Sequence, residues 1–187
     1  MKPAVFFDRD GTLIKAVHYL NDPDQVTLMN GVGQVLTELE QAGYLRIIVT
    51  NQAAIGKGLL TVDGLHRVQQ RLDDLLAIED ATIDGWYFCP EVRVAADDET
   101  IDFPDRKPGP GMLLQAAGDF DISLADSWMV GDRLSDALAG KNAGCRGSIV
   151  ITPRPFDKEL LSHPSVDFVV ASLDHINEII LRSGRPI

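Results

Sequence analysis

The sequence predicts an α/β fold: a doubly wound, mostly parallel sheet that carries its ligand site at one edge. Three observations point there. Short β-rich apolar runs alternate with amphipathic helical stretches along the chain. The spacing between runs leaves room for a helix in each crossover, as parallel neighbours need. The chemically able polar residues collect just after the strands, and open sheets bind ligands outside the carboxyl ends of their strands. The 187 residues suit a single domain over 1–187, with a loop insertion at about 90–107. A chain of that length buries roughly 70% of its unfolded surface, enough for a core without staples.

Ala4-Val5-Phe6-Phe7 reads as a buried strand, ended by the polar turn Asp8-Arg9-Asp10-Gly11-Thr12. Val32, Val35, Leu36 and Leu39 recur at helical spacing, with Gly43 placed as a C-cap. Leu45 to Thr50 is the second strand, and Thr61 or Asp63 caps a helix carrying Leu65, Val68, Leu72, Leu75 and Leu76. Ile83 to Cys89 is a third strand. From 90 to 107 the rhythm breaks: Pro90, Asp97-Asp98-Glu99 and Pro104 fall without a period, and the stretch reads as a long loop. A helix from Gly109 to Phe120 follows, with Pro108 or Pro110 near its first turn. Trp128-Met129-Val130 is a strand ending at Gly131-Asp132, and Ser135 to Ala143 is a short helix closed by Gly144. Ser148 to Ile151 and Val166 to Val170 are two more strands, and Ser172 caps a closing helix through Leu173, Ile176, Ile179 and Ile180.

Charge narrows the function. With 17 basic and 28 acidic residues the net charge is −11, which repels nucleic acid and anionic membrane. A small anionic substrate held by local positive groups remains compatible. Two cysteines, Cys89 and Cys145, cannot build a disulfide scaffold or a four-cysteine zinc site. No apolar run reaches membrane-spanning length, and Asp8-Arg9-Asp10 would ruin a signal peptide, so a soluble cytoplasmic protein is expected. The edge elements show no obvious interface helix, and a monomer is expected.

Asp8-x-Asp10-Gly11-Thr12 is the strongest chemical signal. Two carboxylates two residues apart at a strand end can point into one cleft, and Gly11 lets the backbone turn with its amides facing an anion. One carboxylate can attack phosphorus while the other protonates the leaving oxygen and then activates water. Taken alone, the motif could equally be an Asp-rich turn. Paired carboxylates facing a phosphate need a cation, and Asp132, with Asp136 four residues on, adds hard oxygen ligands of the kind Mg²⁺ prefers. Asp136 could ligate directly or through water. Thr50 offers a hydroxyl at a strand end, and Lys107, flanked by Arg106 and Pro108, offers a fixed cation. Gly56-Lys57-Gly58 lacks the leading Gly and the hydroxyl of a nucleotide P-loop, and Gly31-Val32-Gly33 lacks the third glycine of a dinucleotide fingerprint. His66, His163 and His175 have no partner spacing, and Cys145, Trp86 and Trp128 read as packing residues.

In order and placement these segments resemble the haloacid dehalogenase superfamily of phosphatases. Val5 to Leu13 looks like its first motif, Val49-Thr50-Asn51 its second, Lys107 its third, and Val130-Gly131-Asp132-Arg133 with Asp136 its fourth. The resemblance spans residues 4 to about 150 and implies that family's Rossmann-like fold. It implies Asp8 as nucleophile, Asp10 as general acid and base, and Thr50 and Lys107 on the phosphoryl group. Mg²⁺ would be held by Asp8, Asp132 and the main-chain carbonyl of Asp10.

A narrower resemblance is to the heptose bisphosphate and histidinol phosphatase branch, carried by Thr50 to Gly58 and Arg106-Lys107-Pro108-Gly109-Pro110-Gly111-Met112. That branch implies a minimal cap formed by loops. It implies substrate contacts from His18 and Tyr19 in the first loop, from Asn51 and Gln52, and from Arg106. Arg133 stands where the branch usually carries a lysine near a second phosphate. The branch commonly holds zinc with three Cys and one His before the Arg-Lys-Pro motif; here Cys89 alone survives, so no structural zinc is expected and packing or hydrogen bonds should hold the loop.

The leading reading is a Mg²⁺-dependent phosphomonoesterase forming an aspartyl-phosphate, acting on a heptose 1,7-bisphosphate. Histidinol phosphate or another small metabolite is the alternative within enzymes. A phosphate-binding or receiver-like signalling domain is the alternative outside them. A receiver carries its phosphorylated Asp on a middle strand, unlike this first-strand pair, and a pure binder has no need of the complete set. A polynucleotide 3′-phosphatase is disfavoured by the acidic charge and the lack of a basic stripe.

Overall fold

The computed structural model describes residues 1–97, 99–153 and 158–183. In chain order its elements are β1 (Ala4–Phe7), α1 (Val32–Gln41), β2 (Leu45–Asn51), α2 (Ala53–Gly56), α3 (Val62–Ile78), β3 (Gly85–Cys89), α4 (Gly111–Phe120), β4 (Trp128–Gly131), α5 (Leu134–Ala143), β5 (Gly147–Ile151), α6 (Lys158–Ser162), β6 (Phe168–Val170) and α7 (Ile176–Ser183). The strands form one sheet in the order β3-β2-β1-β4-β5-β6, and every described pairing is parallel. The expected doubly wound α/β architecture is therefore present, with the strand order reversing between β1 and β4. Such a switch point opens a crevice at the carboxyl ends of the strands.

Period-two alternation divides the core between the two sheet faces. Val5 and Phe7 of β1, with Ile48, Val130 and Ile149, meet the apolar stripes of α1, α3 and α7. Ala4 and Phe6, with Ile47, Val49 and Met129, meet α4 and α5. A third cluster around Ala54, Leu60 and Leu65 packs Tyr19, Trp86 and Phe88 beneath the cleft. Trp128 lies in the main core and Trp86 packs against it, as expected.

Local chemistry explains the element ends. Thr61 caps α3 by accepting the Gly64 N–H at 3.0 Å, which decides between Thr61 and Asp63. Gly43, at φ 87°, closes α1 by donating to the Glu40 carbonyl at 2.9 Å. β3 starts at Gly85, later than expected, because Asp84 instead accepts the Arg46 N–H and Nε–H, both at 2.8 Å. β6 likewise starts at Phe168, since Asp167 accepts the Ser148 N–H at 2.8 Å rather than extending the ladder. The closing helix opens with a 3₁₀ turn at Leu173–His175, and the Ser172 hydroxyl donates to Asp174 at 2.9 Å instead of capping it. The stretch from 90 to Pro110 holds no helix or strand among its described residues, in keeping with the expected loop. No helix among the described residues is long and apolar enough to cross a membrane.

Candidate active site

β1 delivers the first carboxylate. The Asp8 N–H donates to the Val130 carbonyl at 2.8 Å, so the strand pairing runs to its last residue and the side chain emerges beyond the sheet. The chain then turns tightly: the Arg9 carbonyl accepts the N–H groups of Leu13 and Ile14, both at 3.0 Å. Gly11 sits in this turn at φ 95°, and a Cβ there would lie 2.4 Å from Asp132 Oδ2. Glycine is needed twice at that position, for the backbone angle and for the approach of Asp132.

Lys107 reaches the same point from the long loop. It is 2% exposed, and its three N–H donors reach Asp8 Oδ1 at 2.6 Å, Asp136 Oδ1 at 2.6 Å and the Val49 carbonyl at 2.7 Å. All three donors thus meet protein acceptors, so the ammonium acts on a ligand through its charge. Its backbone is fixed as well. Asn51 Nδ2 donates to the Lys107 carbonyl and Asn51 Oδ1 accepts the Lys107 N–H, each at 3.1 Å.

Gln52 joins the second carboxylate to the hydroxyl. Its Nε2 donates to Asp10 Oδ2 at 2.8 Å and to Thr50 Oγ1 at 2.9 Å. Arg9, wholly buried, reaches the same Asp10 oxygen with Nε at 3.0 Å and Nη2 at 2.9 Å. These contacts all fall on Oδ2 and leave Asp10 Oδ1 with no protein partner among the described residues, in a residue that lines the cleft. Asn51 and Gln52, expected to contact substrate, line the cleft but commit their amides to holding Lys107, Asp10 and Thr50.

The last carboxylates come from the end of β4 and the start of α5. Asp136 Oδ2 accepts the Arg133 N–H at 3.0 Å, capping the helix, while Oδ1 receives Lys107. A Cβ on Gly131 would lie 2.2 Å from Asp136 Oδ2, so this packing requires the glycine. Both oxygens of Asp136 are thereby engaged.

Lys107 bridges Asp8 and Asp136 beside two further carboxylates, and the proton affinities of Asp8 and Asp132 register the crowding. Burial pushes the Asp8 carboxyl up to about 7, with Asp136, Asp10 and Asp132 adding to the rise and Lys107 opposing it. Burial, then Asp136, pushes Asp132 up to about 6. Burial acts against the charge of Lys107, but Asp136 and Asp8 outweigh it and hold the group above its ordinary value. The site is short of positive charge. Asp8, Asp132 and Asp136 each offer an oxygen, all within 4.8 Å of one another. An all-carboxylate set fits a hard divalent cation rather than a soft one.

These groups open into a cleft of about 530 Å³, lined also by His18, Tyr19, Arg93, Arg106 and Arg133. Tyr19 adopts a left-handed backbone, φ 51°, its ring centroid 3.9 Å from that of His18. Its hydroxyl accepts from Lys57 Nζ at 2.8 Å. Every side chain expected at the site lines this cleft, Asp132 included. Sequence reasoning missed Arg93, Lys57 and the support given by Arg9. Arg9 lay inside the first motif and could have been noticed as a cation between two carboxylates.

Comparison with known proteins agrees with this geometry. A family model described as HAD-hydrolase-like matches residues 105–176. The D-glycero-β-D-manno-heptose-1,7-bisphosphate 7-phosphatase of Pasteurella multocida is 34% identical over 181 residues, 96% of this chain and 97% of the relative. The α-anomer enzyme named from Burkholderia mallei is 37% identical over 152 residues, 81% and 80% of the two chains. A D,D-heptose 1,7-bisphosphate phosphatase from B. bronchiseptica, solved with magnesium and phosphate, superposes with a TM-score of 0.81 at 26% identity, covering 97% of this chain and 99% of the other. The chain belongs to the haloacid dehalogenase-like phosphatases.

Proposed function

We propose that the protein is a Mg²⁺-dependent D-glycero-D-manno-heptose 1,7-bisphosphate 7-phosphatase, working as a cytoplasmic monomer of one domain. The observation that carries the reaction class is the convergence of Asp8, Asp10, Thr50, Lys107 and Asp132 in one cleft at the switch point of the sheet. The names of the relatives support the substrate. Free thiols at Cys89 and Cys145 fit a reducing compartment, and the acidic chain fits a small-metabolite substrate rather than nucleic acid or membrane.

In the first step a carboxylate oxygen of Asp8 attacks phosphorus, and the bond from phosphorus to the ester oxygen breaks. Asp10 enters this step protonated and gives its proton, at Oδ1, to the departing sugar oxygen. In the second step the same oxygen takes a proton from water as that water attacks the aspartyl-phosphate. Inorganic phosphate leaves and Asp8 is restored. Gln52 and Arg9 hold Asp10 Oδ2, so that Oδ1 is presented to the reacting atoms. Lys107 orients Asp8 and contributes charge beside the phosphoryl oxygens, while the Thr50 hydroxyl donates to one of them. Mg²⁺, held by Asp8, Asp132 and the Asp10 carbonyl, would keep the carboxylates ionised and offset the phosphoryl charge. Asp136, with both oxygens committed, positions Lys107. His18, Tyr19, Arg106 and Arg133 on the rim would meet the sugar and its remaining phosphate. The bonds from Asp102 to the 94–95 backbone, in a loop with one cysteine before it, support a loop that needs no structural zinc.

The test is phosphate release from heptose 1,7-bisphosphates, histidinol phosphate and hexose phosphates. The highest kcat/KM is expected on a heptose 1,7-bisphosphate, with loss of turnover on chelation. A preference for histidinol phosphate would overturn the substrate, and turnover that survives chelation would overturn the metal.

A further inference from the structure

The backbone that carries Lys107 is held by side chains rather than by a ladder. Lys107 and Pro108 lie in no helix or strand, and both are buried. Buried peptide groups need partners, and Pro108 has no N–H to contribute. Asn51 meets the Lys107 N–H and carbonyl, each at 3.1 Å. The Pro108 carbonyl accepts Asn142 Nδ2 at 2.9 Å. Gly109 closes the turn by donating to the Arg106 carbonyl at 2.6 Å. Two asparagines, one at the end of β2 and one on α5, thus clamp the two residues from different elements of the fold.

Asn142 differs from Asn51 in standing apart from the cleft. It does not line the cavity and its residue is exposed, yet its amide reaches a buried residue next to the site. The helix beneath it is a firm base. A Cβ on Gly140 would lie 2.6 Å from Met129 Cβ, so α5 is pressed against β4. In the first turn of the same helix, Asp136 Oδ1 holds Lys107 Nζ at 2.6 Å. Asp136 and Asn142 are six residues apart, about 9 Å along the helix axis. One helix therefore grips the lysine by its ammonium and the next residue by its carbonyl. An ammonium on a flexible four-carbon stem is only as well placed as the backbone it starts from. A displacement of about 1 Å near the reacting atoms can cost about a hundredfold in rate.

We infer that Asn142 is a positioning residue for Lys107, holding from outside the cleft the peptide that delivers the ammonium to the reacting group. The inference rests on the phosphatase reading above, in which Lys107 serves the phosphoryl group. It adds to that reading a determinant of rate that no substrate touches.

The test measures kcat, KM and melting temperature for wild type, Asn142→Ala, Asn142→Asp and Asn142→Gln, on a heptose 1,7-bisphosphate and on p-nitrophenyl phosphate. Alanine forms helix better than asparagine, so Asn142→Ala should fold, with a melting temperature within about 3 °C of wild type. Its kcat should fall about fivefold to twentyfold on both substrates, with KM held within about twofold. Asn142→Asp has the same shape but turns an acceptor towards the carbonyl, and should lose at least as much. Asn142→Gln keeps the amide donor and should recover part of the loss. Crystal structures of wild type and Asn142→Ala should show Lys107 Nζ displaced from Asp8 Oδ1 in the variant. An unchanged kcat in Asn142→Ala would overturn the inference. So would a fall in kcat with Lys107 unmoved, which marks an effect by another route. A wild type that hydrolyses neither substrate would overturn the phosphatase reading itself, and the inference with it.

Discussion

On the floor of the cleft each N–H of Lys107 meets an acceptor within 2.7 Å. On the rim the Arg133 side chain is 74% exposed and His18 stands in solvent. The floor is made of strand ends and their first turns, cross-linked through Lys107, Asn51, Gln52 and Asp136. The rim is made of loops tied at scattered points, such as Lys57 to Tyr19, Arg106 to the Glu91 carbonyl and Asp102 to the backbone at 94–95. The contrast teaches a division of labour. A saturated floor performs one chemistry and tolerates no change, while the rim can be altered residue by residue to choose what is hydrolysed.

The sharpest way to break the comparison is at Asp8. Asp8→Asn should lower kcat roughly 10⁴-fold or more, because the carboxamide that replaces Asp8 cannot take the phosphoryl group as the carboxylate does. The same variant should be more stable than wild type in metal-free buffer at pH 8. The sign follows from the carboxyl lying at about 7 in the folded protein against an ordinary 3.8. Between those values the folded state holds a proton that the unfolded state has lost, so stability falls as pH rises from about 4 to about 7. Metal-free thermal unfolding should therefore put Asp8→Asn above wild type at pH 8 and level with it near pH 4, with Mg²⁺ stabilising wild type more. Equal melting temperatures across the range would contradict the charge deficit.

Lys107→Met tests the floor from the other side. It leaves Asp8 and Asp136 buried without their common partner and should cost about 3–5 kcal/mol, read from urea unfolding. Gln52→Leu is milder. It removes the bridge between Asp10 and Thr50 and should lower kcat about tenfold to a hundredfold with little change in KM. At the rim, Lys57→Met removes the donor to the Tyr19 hydroxyl. It should shift KM by about threefold and stability by no more than about 0.5 kcal/mol. A rim change as damaging as a floor change would end the distinction.

How much of this could be read from residues alone follows the same division. Unbroken apolar runs such as Val5-Phe6-Phe7 and helical stripes such as Val32-Val35-Leu36-Leu39 announce their elements because packing sets their pattern. Asp8, Asp10, Thr50 and Asp132 were legible because strand ends fix where side chains emerge. The single turn α2 has too few residues to show a period. Asn51 and Gln52 look like ligand contacts until folding brings Lys107 and Asp10 against them, 56 and 42 residues away in sequence. Asp102 lies where the sequence has no period, so only its bonds to the backbone at 94–95 reveal what it holds.

The central claim is that Asp8 becomes covalently phosphorylated. Asp10→Asn should slow the second step more than the first when the substrate is an aryl phosphate whose leaving group needs no proton. Acid quenching of that variant in mid-turnover, followed by peptide mass spectrometry, should find one phosphoryl group on the peptide that contains Asp8. Turnover with no phosphorylated peptide, or a phosphoryl group on any other residue, would contradict the account.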